Sequence, residues 1–381
     1  MVTLLGCGDI DSGGGPAVES GGDRGGSFAG DSGGGGGGGG RPGEPDPIPA
    51  GQLTAGEWRD LDDWSRWTDL VDEGEFASFA AGWGIDTVGR IAVHVDSAAG
   101  AAANVPVTLL DGEGVAIWSA RTDIHGNAEL FPSAYESSEG PYAVAVAGQT
   151  LPVGDGPVVV NLDEVTPPRR ALDLMFVIDT TGSMGDELRY IQAELDDVID
   201  RSQANAAQSF DLRLSVNLYR DEGDEYVVRS NPFSGNPEDA LRALTRESAN
   251  GGGDWPEAVD RALDDAIFDH EWSEDATARL LFLVLDAPPH ADSPQKMERL
   301  RTAIQAGAEL GIRVIPVSGT GVDQNTETLL RSMAITTGGT YAFLTDHSGI
   351  GGDHLEPTVG DFDVEFLNDL LVRLIVESID G

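Results

Sequence analysis

Residues 172–186 have the sequence Leu-Asp-Leu-Met-Phe-Val-Ile-Asp-Thr-Thr-Gly-Ser-Met-Gly-Asp. The apolar run Leu174–Ile178 is typical of a fully buried strand in a parallel sheet, because it is too short and ends too abruptly for a buried helix. Asp179 then begins a turn that contains Thr181 and Ser183, and a helical pattern follows. Ligands of open α/β sheets bind at the carboxyl ends of strands, and three short oxygen ligands at alternate positions suit a hard divalent cation. The stretch therefore predicts a cation site at the end of a strand.

The chain alternates strand-like and helix-like segments from residue 171 to its end. This alternation predicts an α/β fold with a doubly wound, mostly parallel sheet and helices on both faces. The predicted strands are Leu172–Asp179, Asp211–Tyr219, Tyr226–Asn231, Arg279–Asp286, Arg313–Ser318 and Thr340–Leu344. The pairs Asn236-Pro237 and Ser293-Pro294 predict two helix starts, because each places a capping side chain before a proline at the first helical position.

Residues 88–162 contain short alternating runs separated by Gly, Asp and Asn turns. This spacing predicts a small all-β sandwich. Its Thr-Asp-x-x-Gly turn resembles the transthyretin-like and carboxypeptidase-regulatory-like modules of secreted proteins, and we expect it to act as a spacer. Asp123, His125 and Asn127 suggest metal ligands, although turn chemistry explains them better.

A helix-like pattern precedes the sandwich, with large apolar residues at spacings of three and four that include Trp64 and Trp67. It indicates either a helix that packs on the next domain or an exposed aromatic stripe that binds a ligand; we expect packing. The predicted domains are thus a tether at 1–50, the helix and sandwich at 51–168, and the α/β domain at 169–381.

Residues 1–50 include eight consecutive glycines, Gly33–Gly40, and a proline-rich end, and they predict a disordered tether. The sequence Leu4-Leu5-Gly6-Cys7 resembles a bacterial lipobox, in which a signal peptide is cut before a cysteine that then receives a lipid. We therefore expect lipidation of Cys7 and a protein held at the cell surface or outer membrane by this lipid anchor alone. Only six residues precede Cys7, so either translation starts further upstream or the match arises by chance.

The formal charge of −43 comes from 66 acidic residues against 23 Lys and Arg. Such a surface repels nucleic acid and anionic lipid and attracts cations. Cys7 is the single cysteine, which excludes an intramolecular disulfide and a cysteine-based metal site.

Three sequence loops carry the chemistry: Asp179–Ser183, then Gly251-Gly-Gly-Asp-Trp-Pro-Glu-Ala258, then Asp286-Ala-Pro-Pro-His290. In this order and spacing they resemble the von Willebrand factor type A (VWA) domain, in the subgroup found in hemicentin-like and bacterial surface proteins, over about 210 residues. The family's metal-ion-dependent adhesion site implies two hydroxyls that coordinate the ion, two acids that bind it directly or through water, and one second-loop ligand. In this chain the hydroxyls are those of Thr181 and Ser183, the two acids are Asp179 and Asp286, and the second-loop ligand is Asp254.

The resemblance also implies a divalent cation as cofactor and a protein ligand whose acidic side chain completes the metal shell. Mg²⁺ is the expected ion. Asp254 stands where some members of the family have Thr. This third carboxylate favours tighter metal binding, weaker attraction of an incoming carboxylate, and Ca²⁺ or Mn²⁺ as alternatives. We expect Asp221, Glu222 and Asp224 to form a solvated acidic loop rather than to bind metal, and His290 to be structural.

The leading hypothesis is a non-enzymatic, surface-anchored adhesion module that binds a protein through a divalent metal. One alternative is an intracellular VWA subunit that works with an ATPase in metal insertion or complex assembly. Another is an aspartate-based phosphotransfer enzyme. That chemistry needs a second acid two positions after Asp179, where Thr181 stands.

Overall fold

The structure, a computed structural model, describes residues 53–253, 255–346 and 355–381. The predictions for the tether, for lipidation of Cys7 and for Asp254 concern residues outside these ranges and stay predictions. Within the ranges, no helix is both long enough and apolar enough to cross a bilayer.

An eight-stranded sheet forms the centre of the fold and confirms the predicted α/β class. In spatial order its strands are β12 (Val228–Arg229), β11 (Asp211–Tyr219), β10 (Arg169–Asp179), β13 (Ala276–Leu285), β14 (Ile312–Ser318), β15 (Tyr341–Thr345), β1 (Thr54–Trp58) and β16 (Glu365–Phe366). The five strands from β11 to β15 in this order run parallel to one another. The marginal strands β12, β1 and β16 pair antiparallel with their neighbours. The carboxyl ends of the parallel strands therefore meet at one edge of the sheet.

Helices cover both faces of this sheet, because alternate side chains of each buried strand point to opposite sides. Leu174 and Phe176 of β10 contribute to one core, which packs against α3 (Gly185–Asn205), α4 (Pro237–Thr245) and α8 (Leu367–Asp380). Met175 and Val177 contribute to the opposite core, which packs against α5 (Val259–Phe268), α6 (Pro294–Leu310) and α7 (Gln324–Thr337). The uninterrupted apolar run in the sequence thus reflects burial on both faces.

Two of these helices begin at the prolines that the sequence indicated. Helix α6 starts at Pro294, and the Ser293 hydroxyl accepts a hydrogen bond from the Lys296 amide at 3.3 Å. Helix α4 starts at Pro237, but the side chain of Asn236 makes no capping hydrogen bond. The start of α4 was therefore predicted correctly, while the capping role of Asn236 was wrong.

The all-β part consists of two four-stranded sheets. One contains β2 (Ile91–Ser97), β3 (Gly100–Ala101), β6 (Asn127–Leu130) and β9 (Val158–Leu162), and the other contains β4 (Pro106–Leu110), β5 (Ala116–Arg121), β7 (Ala143–Val146) and β8 (Gln149–Pro152). Side chains of both sheets share one core, which also takes in Ala308 of α6 and Ile335 of α7. The sandwich is therefore packed directly on the α/β part.

The segment before the sandwich contributes to the central sheet, which the sequence did not predict. Strand β1 pairs with β15 in the register Thr54↔Thr345, although its residues lie in the predicted helix-and-sandwich segment 51–168. Helices α1 (Trp64–Asp72) and α2 (Gly74–Trp83) follow. Trp67 is fully buried, and its indole N–H donates to the Thr87 hydroxyl at 2.8 Å. This burial confirms packing rather than an exposed aromatic stripe.

Candidate metal centre

Two of the predicted ligands lie at the carboxyl edge of neighbouring parallel strands. Strand β10 ends at Asp179, and Asp286 directly follows the end of β13. In the paired register Ile178 lies opposite Val284, so the two acids emerge side by side. Both carboxylates are buried. The topology thus brings together two acids that are more than a hundred residues apart in sequence.

The first loop folds back on Asp179. Its Oδ1 accepts hydrogen bonds from the Thr181 amide at 2.8 Å and from the Thr181 hydroxyl at 2.7 Å. A single 3₁₀ turn at Gly182–Met184 then places the exposed Ser183 hydroxyl 3.4 Å from that of Thr181. One carboxylate and two hydroxyls therefore lie on the same side of the loop.

The second loop approaches the first so closely that it requires glycine. The Gly182 amide donates to the Gly251 carbonyl at 3.2 Å, and the Asn250 amide donates to the Thr180 carbonyl at 3.0 Å. Gly252 has a φ of +69°, and a Cβ there would lie 2.9 Å from Oε1 of Glu257. A side chain at this position would be strained and would press on the candidate site.

The donor set fits a hard divalent cation. Oδ2 of Asp179, Oδ1 of Asp286 and Oε2 of Glu257 are buried and have no hydrogen-bond partner among the described residues. Unpaired buried carboxylate oxygens are costly, and a divalent ion would satisfy them. The described ranges contain no cluster of three or more His, Cys, Asp or Glu that could hold a metal ion, so an ion here would depend on the hydroxyls of Thr181 and Ser183 as well.

Comparison with known proteins identifies the family of the α/β part. Residues 173–350 match the model of the von Willebrand factor A domain. The chain carries a VWA domain. VWA domains are protein-interaction modules, and they often bind a divalent metal at a site of this kind.

A von Willebrand factor type A protein from Catenulispora acidiphila is a similar solved structure. It is 14% identical, the match covers 76% of this chain and 49% of that chain, and the TM-score is 0.36. The present chain thus spans about half the length of that chain. The comparison with curated proteins gave no match.

Glu257 lies in the second loop motif, but the sequence alone did not indicate a role for it. Its side chain is buried, and its amide donates to the Pro288 carbonyl at 2.9 Å, which ties the second loop to the third. The signal was an acid placed three residues after Asp254 in a glycine-rich loop. Glu257 is therefore a close acidic neighbour of the candidate metal centre.

The acidic loop beyond β11 is less solvated than predicted. Of the three acids that were predicted to be solvated, only Glu222 is exposed; Asp221 is buried, and its Oδ1 lies 2.6 Å from Nε2 of His290. Oδ2 of Asp224 accepts hydrogen bonds from the Gly252 amide at 2.8 Å and the Asp221 amide at 3.2 Å. The prediction of a solvated loop was wrong for Asp221, because its partner His290 lies on the third loop of the VWA domain.

Burial raises the pKa values of the acids at the candidate metal centre. Loss of water, followed by repulsion from Asp286, raises the pKa of Asp179 to about 7. Burial raises the pKa of Asp286 to about 6, and the Ser183 hydroxyl partly offsets this rise. Burial, with repulsion from Asp179 and other acids, raises the pKa of Glu257 to about 9. A divalent cation would reverse the balance by favouring the ionised carboxylates.

Without a divalent cation, we expect the protein to lose stability as the pH rises from about 5 to about 8. The folded state holds protons on Asp179, Asp286 and Glu257 that the unfolded chain releases above a pH of about 4. Each such group lowers the free energy of unfolding by about 1.4 kcal/mol per pH unit between its unfolded and folded pKa, because the unfolded state then binds fewer protons. Urea unfolding in EDTA across this range measures the slope.

Saturating Mg²⁺ should remove most of this slope, because the ion replaces the protons between the carboxylates. Glu257→Gln should lower the EDTA slope by about 1.4 kcal/mol per pH unit throughout this range, and it should leave almost no slope between pH 7 and 9, where Glu257 alone of the three stays protonated. Equal slopes in EDTA and Mg²⁺ would contradict the assignment of these acids to the metal centre.

Proposed function

We propose that this VWA domain binds a protein ligand through a divalent cation held by Asp179, Thr181, Ser183 and Asp286, and that it acts by binding rather than by catalysis. One observation carries the proposal. Buried oxygens of Asp179 and Asp286 without hydrogen-bond partners lie beside the exposed hydroxyl of Ser183. An ion in this position would be enclosed from below and open toward solvent, where a ligand can reach it.

The charge balance supports capture of a single carboxylate. A divalent ion neutralises Asp179 and Asp286, and a partner carboxylate then fills the open coordination position. Glu257 adds a further negative charge when it ionises, and Asp254 is expected to add another. We propose Mg²⁺ as the resident ion, with Ca²⁺ or Mn²⁺ as alternatives because extra carboxylates favour ions that tolerate more oxygen ligands.

The open coordination position can be tested with Mn²⁺ in place of Mg²⁺ and acetate as the probe. Mn²⁺ bound to the full chain should increase water-proton relaxation, and acetate should lower that increase by displacing a coordinated water. Ser183→Ala should weaken Mn²⁺ binding because it removes one of the hydroxyl ligands. Unchanged relaxation on addition of acetate would show that the bound ion accepts no external carboxylate.

We further propose that the protein is held at the cell surface or outer membrane through a lipid on Cys7. The support is the lipobox-like sequence Leu4-Leu5-Gly6-Cys7 followed by a glycine-rich segment. Metabolic labelling with a fatty acid and fractionation, on a gene extended upstream to any alternative start, tests the anchor. Cys7→Ser should abolish labelling and release the protein from the membrane fraction. A wild-type protein found unlabelled among the cytosolic proteins would instead favour the intracellular alternative.

A further inference from the structure

The candidate metal centre opens into a depression with one large apolar side chain in its wall. The depression has a volume of about 690 Å³, within the range of roughly 300–1,000 Å³ that ligand pockets span. Ser183 and Asp286 line it, together with the glycine backbone of residues 251–253. Trp255 supplies the one aromatic ring among the lining residues that the structure describes.

Trp255 is half exposed, with 47% of its surface accessible. A single exposed apolar residue needs no explanation by itself. However, the described part of the chain exposes seven other large apolar side chains, and none of them lines this depression. Trp255 is thus set apart by its position beside the open side of the metal centre.

The loop after β14 supports the ring of Trp255. Gly321 has a φ of +94°, and a Cβ there would lie 3.6 Å from two ring carbons of Trp255. The neighbouring Thr320 hydroxyl donates to Oε1 of Glu187 at 3.0 Å, which anchors this loop to α3. The indole therefore rests on an anchored loop and presents its free surface to the depression.

We propose that Trp255 determines which partner the domain accepts: a protein segment whose metal-binding carboxylate stands next to an aromatic or large aliphatic side chain. This inference rests on the proposed function, because the metal captures the carboxylate. The adjacent apolar side chain packs against the indole, as aromatic residues do at the energetic centres of interfaces.

The negative charge around the depression determines which kind of side chain the partner can place next to its metal-binding carboxylate. Glu257 and Asp286 line the depression, and a bound divalent ion favours their negatively charged forms. A second acid beside the first would meet this repulsion without a second ion to neutralise it. An apolar side chain next to the carboxylate instead makes binding more favourable, because it packs against the exposed indole and both surfaces are removed from water. The partner therefore carries one acid in an apolar setting rather than an acidic run.

Small monocarboxylates test this preference directly on the full chain with Mg²⁺. The probes are acetate, 3-phenylpropionate and 4-guanidinobutanoate, with succinate as the diacid, titrated by ligand-observed NMR. We expect 3-phenylpropionate to bind about tenfold more tightly than acetate, and succinate to gain nothing. Trp255→Ala should reduce the phenylpropionate affinity to that of acetate, and Trp255→Phe should keep most of the preference.

Phe268→Ala is the matched control, since Phe268 is 50% exposed but lies outside the depression. It should leave all four affinities unchanged, and the Mg²⁺ affinity of Trp255→Ala should stay within about twofold of wild type. Equal binding of acetate and phenylpropionate, or a gain for 4-guanidinobutanoate instead, overturns the role of Trp255 while the proposed function stands. Mg²⁺ binding with no carboxylate binding overturns both.

Discussion

Replacing Asp179 with asparagine is expected to lower the Mg²⁺ affinity of the full chain by more than about 100-fold and, at the same time, to stabilise the metal-free protein. Affinity falls because the substitution removes a charged ligand, and even outer-shell partners of metal ligands typically contribute about 10- to 100-fold. Stability rises at neutral pH because the variant no longer buries an ionised carboxylate beside Asp286. The opposite signs of these two effects distinguish a metal ligand from a residue that only supports the fold.

Isothermal titration with Mg²⁺, Ca²⁺ and Mn²⁺ measures the first effect, and thermal unfolding in EDTA measures the second. In the wild type, an ion at 100 times its dissociation constant should add about 2.7 kcal/mol to the free energy of unfolding. Asp179→Asn should show almost none of this gain. Equal metal affinities for wild type and variant would remove Asp179 from the site.

Glu222→Gln is the matched control for net charge. It removes one negative charge from the loop after β11, at the same edge of the sheet, but Glu222 is exposed and pairs with Lys296 at 3.2 Å. We expect its Mg²⁺ affinity to change by less than about twofold, because exposed charges are screened. A loss as large as that of Asp179→Asn would mean that the general acidity of the surface, and not a built site, attracts the ion.

The sequence predicted those features of the fold that depend on residues close to one another in the chain. The buried run before Asp179 predicted β10, and a proline after a capping residue predicted the starts of α4 and α6. The loop motifs predicted that Asp179, Thr181, Ser183 and Asp286 would lie at one edge of the sheet, where the structure places them. Strand period, helix caps and loop order are all local signals.

Features that depend on distant partners were missed. Strand β1 contains Ala and Gly and pairs with a strand nearly 300 residues later, so its own composition does not reveal it. Asp221 looked like a surface acid because its partner His290 is 69 residues away. Likewise, the unpartnered oxygen of Glu257 is visible only after the second and third loops have come together. A single sequence carries no direct signal for such pairings.

Asp60→Ala is expected to destabilise the whole described unit by about 3–5 kcal/mol, because it leaves a buried arginine short of its main partner. The side chain of Arg331 is fully buried in α7. Its Nε and Nη2 donate to the Asp60 carboxylate at 2.9 and 2.6 Å, and its Nη1 donates to Glu327 at 2.9 Å. The guanidinium also lies 4.9 Å from the ring centroid of Trp67. Urea unfolding followed by tryptophan fluorescence measures the loss.

The same ion pair links the segment before the sandwich to the VWA domain, so the effect should extend beyond one helix. Ala308 and Ile335 of the VWA domain lie in the core of the sandwich, and β1 completes the sheet next to β15. We therefore expect a single unfolding transition in the wild type and in Asp60→Ala. For the same reason, a fragment starting at Ala171 should be much less stable than one starting at Leu53, since it exposes β15 and leaves Arg331 without Asp60.

A triple variant separates the cost of an unpaired charge from the loss of packing. Asp60→Ala with Arg331→Met and Glu327→Gln removes all three charges of this buried cluster. It should recover part of the stability lost in Asp60→Ala, because an apolar side chain replaces the buried cation and no unpaired carboxylate is left behind. Asp62→Ala, on an exposed acid that pairs with Arg59, should change the free energy of unfolding by less than about 0.5 kcal/mol. If Asp60→Ala were as mild as Asp62→Ala, Glu327 alone would be enough to neutralise Arg331, and the ion pair with Asp60 would not be what joins the N-terminal segment to the VWA domain.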